Sequence, residues 1–205
     1  IYFTGGSYAE AEYIWMKDYL QLEGLVYKLV PIKTPQNKEN PYLMGRLDTD
    51  LMYNIVMNWS WGNSESPDIY HDIETRKNSI SFRSNMARLA DQLILEGKKE
   101  KAKNILDLAM QKMPLDYFGY YSLLVPFVDA YYRLDDTVSA QNLAQKVAFK
   151  YRDELEYFGS LTRNEQYMMG EEIITQVERY RTLMEAVLVH EDKMLLKTEV
   201  DAFIG

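Results

Sequence analysis

An apolar stripe in the middle of the chain constrains its fold more than any other sequence feature. It recurs at helical spacing, is interrupted at Gly97, restarts, and stops at Pro114. Apolar residues at i, i+3, i+4 and i+7 share one helix face, whereas Gly and Pro end helices. Residues 86–114 are therefore predicted to form an antiparallel helical hairpin. The stripe consists of Met86, Leu89, Ala90, Leu93 and Ile94, then Ala102, Ile105, Leu106, Ala109, Met110 and Met113.

A second copy of this pattern follows, with Ala140 lying 38 residues after Ala102. Small residues at such positions let two helices approach closely, and the spacing resembles a tetratricopeptide (TPR) repeat, although that repeat has about 34 residues. The second copy contains Leu124, Phe127, Val128 and Tyr131, then Ala140, Leu143, Ala144, Val147, Ala148 and Tyr151. The predicted fold class is mainly α, with tetratricopeptide-like helical hairpin repeats.

The N-terminal third differs from the rest. Residues 1–3 and 25–30 are β-prone, and a helix is predicted over 9–22, ending at Gly24. Strand, helix and strand at this spacing predict a βαβ unit with parallel strands and a right-handed crossover. We expect residues 1–75 to form a small α/β segment with loops that continues a region upstream, and residues 76–205 to form a helical repeat domain.

A further helix is predicted to close the repeat array. Thr162 and Glu165 form a capping-box pattern at its start. A terminal helix with a polar outer face covers the open end of a short array. Its apolar stripe is predicted at Ile173, Val177, Tyr180, Met184 and Val187 or Leu188.

Composition excludes several functional classes. The net charge is −8, and the basic residues form no cluster. Nucleic-acid binding requires clustered Lys and Arg, so no nucleic-acid partner is expected. The chain has no cysteine, which excludes thiol catalysis, disulfides and zinc ribbons. No run of about 18 apolar residues occurs, so no membrane span is predicted within the chain.

No motif identifies a catalytic residue, a metal site or a cofactor, and none is predicted. Gly5-Gly6-Ser7 lacks a phosphate-binding pattern and is interpreted as a turn. Asp48, Asp50 and Asn54 lack the spacing of a calcium loop and fit a helix start.

The two histidines lack the partners that chemistry would require. Neither His71 nor His190 has a second ligand at zinc spacing. The Tyr70-His71-Asp72 sequence could pair a base with a carboxylate, but no nucleophile accompanies it. We interpret both histidines as incidental.

Binding is the function that the repeat pattern favours, because concave repeat surfaces suit extended peptides. The residues predicted to face such a groove are Asn85, Arg88, Asp91 and Gln92, with Tyr131 and Arg133 in the next repeat.

Several stretches together resemble a known family. They are residues 18–25, 27–32, 48–53 and 61–63, Tyr70 with Asp72, and residues 82–85 and 87–90. The chain resembles the C-terminal soluble region of a bacterial multi-span membrane-protein family of unknown function (domain of unknown function 2723). That family is similar to protein O-mannosyltransferase-type glycosyltransferases.

The resemblance implies a parent protein in the inner membrane, with this region on the extracytoplasmic (periplasmic) side. It implies a glycosyltransferase whose catalytic half is not in this sequence, so no catalytic residue is transferred. The expected function is a non-catalytic module that recognises a partner protein or glycosylation acceptor. Two alternatives stay open: a carbohydrate-active enzyme domain using Asp48 or Asp50, and a structural spacer or dimerisation domain.

Overall fold

The computed structural model describes residues 1–4, 14–34 and 44–204. They form two compact units, Ile1–Gly119 and Tyr120–Gly205. Packing thus places the first predicted hairpin in the same unit as the N-terminal 75 residues. The chain is mainly helical with a small N-terminal sheet, which confirms the predicted fold class at that level.

Within its described residues, the first unit contains four strands, a short 3₁₀ helix and four α-helices. The strands are β1 (Tyr2–Thr4), β2 (Leu20–Glu23), β3 (Val26–Leu29) and β4 (Arg46–Leu47), and the 3₁₀ helix is Ile14–Tyr19. The helices are α1 (Thr49–Met57), α2 (Ile73–Leu95), α3 (Lys99–Lys112) and α4 (Leu115–Phe118). The order of strands in the sheet is β1-β3-β2-β4.

The predicted βαβ unit was wrong. β3 pairs antiparallel with both β1 and β2, and only β4 runs parallel to β2. The part of the predicted helix that is described, residues 14–22, is a 3₁₀ helix followed by strand β2, and residues 9–13 lie outside the described residues. The predicted Gly5-Gly6-Ser7 turn also lies outside them.

Gly24 explains this difference. Its φ of +67° places it first in a two-residue loop between β2 and β3, because Glu23 pairs with Val26. Glycine is favoured at that position of a tight hairpin. The polar residues of β2 are also buried: Gln21 donates to Glu23 Oε1 at 2.8 Å and accepts from Arg46 at 2.9 Å. The alternation of apolar and polar residues over 20–23 is typical of a strand, and the helix prediction did not recognise it.

The hairpin of α2 and α3 is confirmed. Asp72 caps α2 by accepting from the Thr75 amide at 2.7 Å, and Gly97 has a φ of +72° between the helices. The core of the hairpin is fully buried and comprises Met86, Leu89, Ala90, Leu93, Ala102, Ile105, Leu106 and Ala109. Burying a Leu or Ile side chain stabilises the fold by about 1.5–3 kcal/mol.

In the second unit, residues 120–204 form a 3₁₀ helix and five α-helices. They are the 3₁₀ helix Tyr121–Leu124, α5 (Val125–Arg133), α6 (Thr137–Ser160), α7 (Arg163–Met168), α8 (Gly170–Val189) and α9 (Lys193–Ile204). Helices α5 and α6 form the second predicted hairpin, and α8 packs against both. The Thr162–Glu165 capping box is present.

The closing helix departs from its prediction in two ways. It is divided into α7 and α8 at Met169, and one residue of the predicted stripe, Val177, is 46% exposed. The rest of the stripe faces inward: Val187 is fully buried, and Ile173, Tyr180 and Met184 are half-buried. Half-buried Gln176 occupies the inward position nearest Val177, so hydrophobicity alone misplaced this one position.

One buried arginine joins the ends of two helices in the first unit. Arg83 has no exposed surface, and its guanidinium donates to the carbonyls of Met113, at 2.8 Å, and Gly119. These two residues cap the C-terminal ends of α3 and α4. A cation there satisfies free carbonyls and complements the helix dipole.

Replacing Arg83 should therefore lower the free energy of unfolding. Arg83→Met keeps a long apolar side chain but leaves the Met113 and Gly119 carbonyls without their donor. We expect the free energy of unfolding, measured by urea denaturation, to fall by about 2–4 kcal/mol. Arg181→Met, at an exposed site, should change it by less than about 0.5 kcal/mol. If the two substitutions lower the free energy of unfolding equally, the capping role of Arg83 is contradicted.

Two glycines with the same backbone angle allow a matched test of packing. Gly45 (φ +73°) and Gly97 (φ +72°) both adopt a conformation that strains other residues. A methyl group at Gly45 would lie 2.9 Å from the Leu20 carbonyl oxygen, whereas one at Gly97 meets nothing within 4 Å. Gly97→Ala should cost about 1 kcal/mol, and Gly45→Ala about 2–3 kcal/mol more. The same urea titration measures both, and equal losses would refute the close approach.

Candidate functional site

Two of the predicted groove residues attach α2 to the sheet. The Asn85 side-chain amide donates to the Gly24 carbonyl at 2.9 Å. The Arg88 guanidinium donates to the carbonyls of Met44, at 2.8 Å, and Gly45, at 2.6 Å. Burial lowers the pKa of Arg88. Both side chains therefore hold loop backbone in the first unit.

The other four predicted residues have mixed surroundings. Asp91 is exposed on α2, and Gln92 lies 3.4 Å from Glu96 through its amide nitrogen. Tyr131 is only 3% exposed and offers almost no surface to a ligand, and Arg133 lies 3.4 Å from Asp129. Ligand contact by any of the six residues stays a prediction.

The acidic residues of the alternative enzyme hypothesis stand at the start of α1. Asp48 is the N-cap and accepts from the Leu51 amide at 3.1 Å. Asp50 forms ion pairs with Lys101 at 2.6 Å and Lys98 at 2.8 Å. Hydrogen bonds from Lys101 and Lys98 lower the pKa of Asp50 to about 2. Such a carboxyl group is ionised at neutral pH and is a poor proton donor.

The lowered pKa of Asp50 predicts a specific acid response. A carboxyl group with a folded-state pKa below its ordinary value of 3.8 stabilises the fold above that pH and loses the effect as pH falls through about 2. Asp50→Asn should lower the thermal midpoint at pH 5–7, and the gap to the wild type should close between about pH 4 and pH 2. Thermal denaturation monitored by circular dichroism measures this. If the difference in thermal midpoint between the wild type and Asp50→Asn is unchanged at pH 2, the lowered pKa of Asp50 is contradicted.

His71 is engaged in packing in the first unit. Its Nε2–H donates to the Ser64 carbonyl at 2.9 Å, and its ring centroid lies 4.5 Å from that of Phe118. Neighbouring Asp72 accepts from a backbone amide as the α2 N-cap. Within residues 1–4, 14–34 and 44–204, no group of three or more His, Cys, Asp or Glu side chains could hold a metal ion.

The second unit contains a pocket of about 270 Å³ between helices α5, α6 and α8. Val125 and Pro126, at the start of α5, supply apolar surface, and the buried ring of Tyr151, on α6, lies beneath them. The polar lining residues are Ser122, Arg179 and Thr182. Arg179 and Thr182 are three residues apart on α8 and so share one helix face. The result is an apolar pocket with a polar rim and one cation.

Tyr151 forms the aromatic floor of this pocket. Its side chain is fully buried, and burial raises its pKa to about 12. Its ring packs edge-to-face against Tyr121 at 4.9 Å and Tyr180 at 6.2 Å. Its hydroxyl has no hydrogen-bond partner among the described residues. A buried polar group without a partner is uncommon.

Sequence reasoning did not find this pocket. Tyr151 was assigned to the apolar stripe of a helix, and Arg179 and Thr182 were not singled out. The available signal was an arginine whose helix neighbours at i±3 and i±4 include no acidic residue. The sequence could not show that this arginine lies beside Tyr151.

Comparison with known protein families finds a match for the N-terminal part of the chain. Residues 1–51 match a family described as TMEM260-associated domain 2. The match covers about a quarter of the chain and spans the sheet and the start of α1. This part of the chain is thus similar to a domain associated with a membrane protein.

Comparison with curated proteins and with solved structures finds no match for this chain. No helix in the described part of the chain is both long and apolar enough to cross a bilayer.

Proposed function

We propose that this chain is a non-catalytic recognition module of a membrane glycosyltransferase-like protein, and that it binds an extended segment of a partner or acceptor polypeptide. The observation that carries the proposal is the pocket between α5, α6 and α8. Its floor and wall are apolar, and its rim carries hydroxyl and guanidinium groups. This is the usual composition of a site that takes an apolar group and orients it by a few polar contacts.

The size of the pocket supports a side chain as its occupant. A volume of about 270 Å³ lies just below the range of roughly 300–1,000 Å³ typical of clefts for drug-sized ligands. It suits one apolar side chain of a peptide that lies across the helices. In this proposal, each of the hairpins α2–α3 and α5–α6 is tetratricopeptide-like, and proteins built from such hairpins bind extended peptides.

Two sequence similarities support the membrane context. One is the match of residues 1–51 to a TMEM260-associated domain. The other is the resemblance to the bacterial multi-span family that is similar to protein O-mannosyltransferases. The proposal places the parent protein in the inner membrane, this module on its extracytoplasmic side, and catalysis in another part of the parent.

The alternative of a carbohydrate-active site at Asp48 or Asp50 has less support. Asp48 is committed to capping α1, and Asp50 is held as a carboxylate by two lysines. An acid catalyst needs a raised pKa, which is the opposite of the shift at Asp50.

A pocket-filling substitution tests the proposal. Thr182→Trp places a large ring at the mouth of the pocket from an exposed position on α8. Binding is measured by fluorescence anisotropy with labelled Ser/Thr-rich peptides that contain a single Leu or Phe, blocked at both ends. The variant should bind at least about tenfold more weakly, a loss of about 1.4 kcal/mol, because the ring occupies the space of the peptide side chain.

Thr198→Trp is the matched control. Like Thr182, Thr198 is exposed on a helix and donates its hydroxyl to the carbonyl four residues earlier, but it does not line the pocket. The Thr198→Trp variant should bind the peptides with the affinity of the wild type. Equal binding by both variants, or no binding of either peptide by the wild-type chain, would overturn the proposed function.

A further inference from the structure

We infer that the pocket recognises an apolar side chain together with a neighbouring carboxylate, and that Arg179 is the residue that binds this carboxylate. The inference rests on the proposed function and specifies the partner: a polypeptide segment with an Asp or Glu beside an apolar residue.

The first observation is that Arg179 lacks a carboxylate partner. Its guanidinium lines the pocket and acts electrostatically on Tyr121 and Tyr151, but it makes no hydrogen bond or ion pair with any described residue. Its own helix offers it no carboxylate: the residues at i±3 and i±4 are Thr175, Gln176, Thr182 and Leu183. Oppositely charged pairs on a helix form at these spacings.

Arg181, two residues further along α8, does have carboxylate partners on its own helix. It lies 2.8 Å from Glu178 and 3.5 Å from Glu185, one on each side. The chain has 31 acidic and 23 basic residues, so carboxylates are abundant. An arginine that lacks one in such a chain, beside an apolar pocket, is available to an external anion.

The nearest acidic group on the facing helix does not substitute for a ligand. Glu154, one turn after Tyr151 on α6, accepts a hydrogen bond from the Tyr121 hydroxyl through one oxygen. Its other oxygen is buried without a hydrogen-bond partner. The described carboxylate beside the floor therefore faces inward to the tyrosines, and the guanidinium remains at the rim.

The chemistry of the pocket defines the ligand. An apolar side chain would lie against Val125 and Pro126. A carboxylate one or two residues away would reach the guanidinium, which binds carboxylates with two parallel hydrogen bonds. Electrostatic complementarity favours one register of a peptide over others, so in this inference the position of Arg179 also fixes the register of binding.

Paired peptides test this inference. Two labelled peptides, amidated and acetylated so that no terminal carboxylate is present, differ only in Leu-Asp against Leu-Asn. The wild-type chain should bind the Asp peptide about tenfold more tightly, and the preference should shrink at high salt. Arg179→Gln should bind both peptides equally, whereas Arg181→Gln should keep the wild-type preference. Circular dichroism and thermal midpoints verify that both variants fold.

The outcomes separate this inference from the proposed function. If Thr182→Trp weakens binding but Arg179→Gln keeps the Asp preference, the role of Arg179 is refuted and peptide binding stands. If Thr182→Trp has no effect, the proposed function fails. Displacement of the peptide by methyl mannoside, equally in the wild type and Arg179→Gln, would indicate a sugar site and overturn the inference.

Discussion

The first unit depends on a single cation buried without a carboxylate. Arg83 projects from α2 and closes the C-terminal ends of α3 and α4 through the Met113 and Gly119 carbonyls. Burial lowers its pKa to about 10, so it remains charged at neutral pH, and the helix-end carbonyls offset part of the desolvation cost. The loop before α2 is attached to the same helix end, because the Ser64 hydroxyl donates to the Lys112 carbonyl at 2.7 Å.

The N-terminal sheet is likewise completed by residues distant in sequence. Its turns are held by Asn85 and Arg88, which donate to backbone carbonyls at Gly24, Met44 and Gly45. The family match ends at residue 51, before either side chain. The matched segment therefore obtains part of its support from a helix that the match does not include. This explains why packing joins it to the α2–α3 hairpin in one unit.

The second unit is held by tyrosines paired with carboxylates. Tyr132 donates to Asp192 at 2.8 Å and Tyr180 to Glu199 at 2.9 Å, which link α5 and α8 to the C-terminal helix. Burial raises the pKa of both tyrosines, so each remains a hydrogen-bond donor over the physiological range. Tyr151 lies in the same aromatic layer but has no such partner, and there the layer opens into a pocket. The proposed recognition function uses the pocket beside Tyr151.

The sequence by itself determined the elements whose stabilising pattern is local. The two hairpins follow from apolar residues at helical spacing, and the Thr162–Glu165 cap follows from residues three apart. Only the tertiary structure decided the features that distant residues create. Leu20–Glu23 became a strand because Gly24 begins a hairpin and Arg46 satisfies a buried Gln21. Asn85 and Arg88, predicted from their helix face to contact a ligand, donate to backbone carbonyls because the turns of the sheet pack against them. The pocket arises where α5, α6 and α8 meet, and helical periodicity carries no information about which side chains different helices bring together.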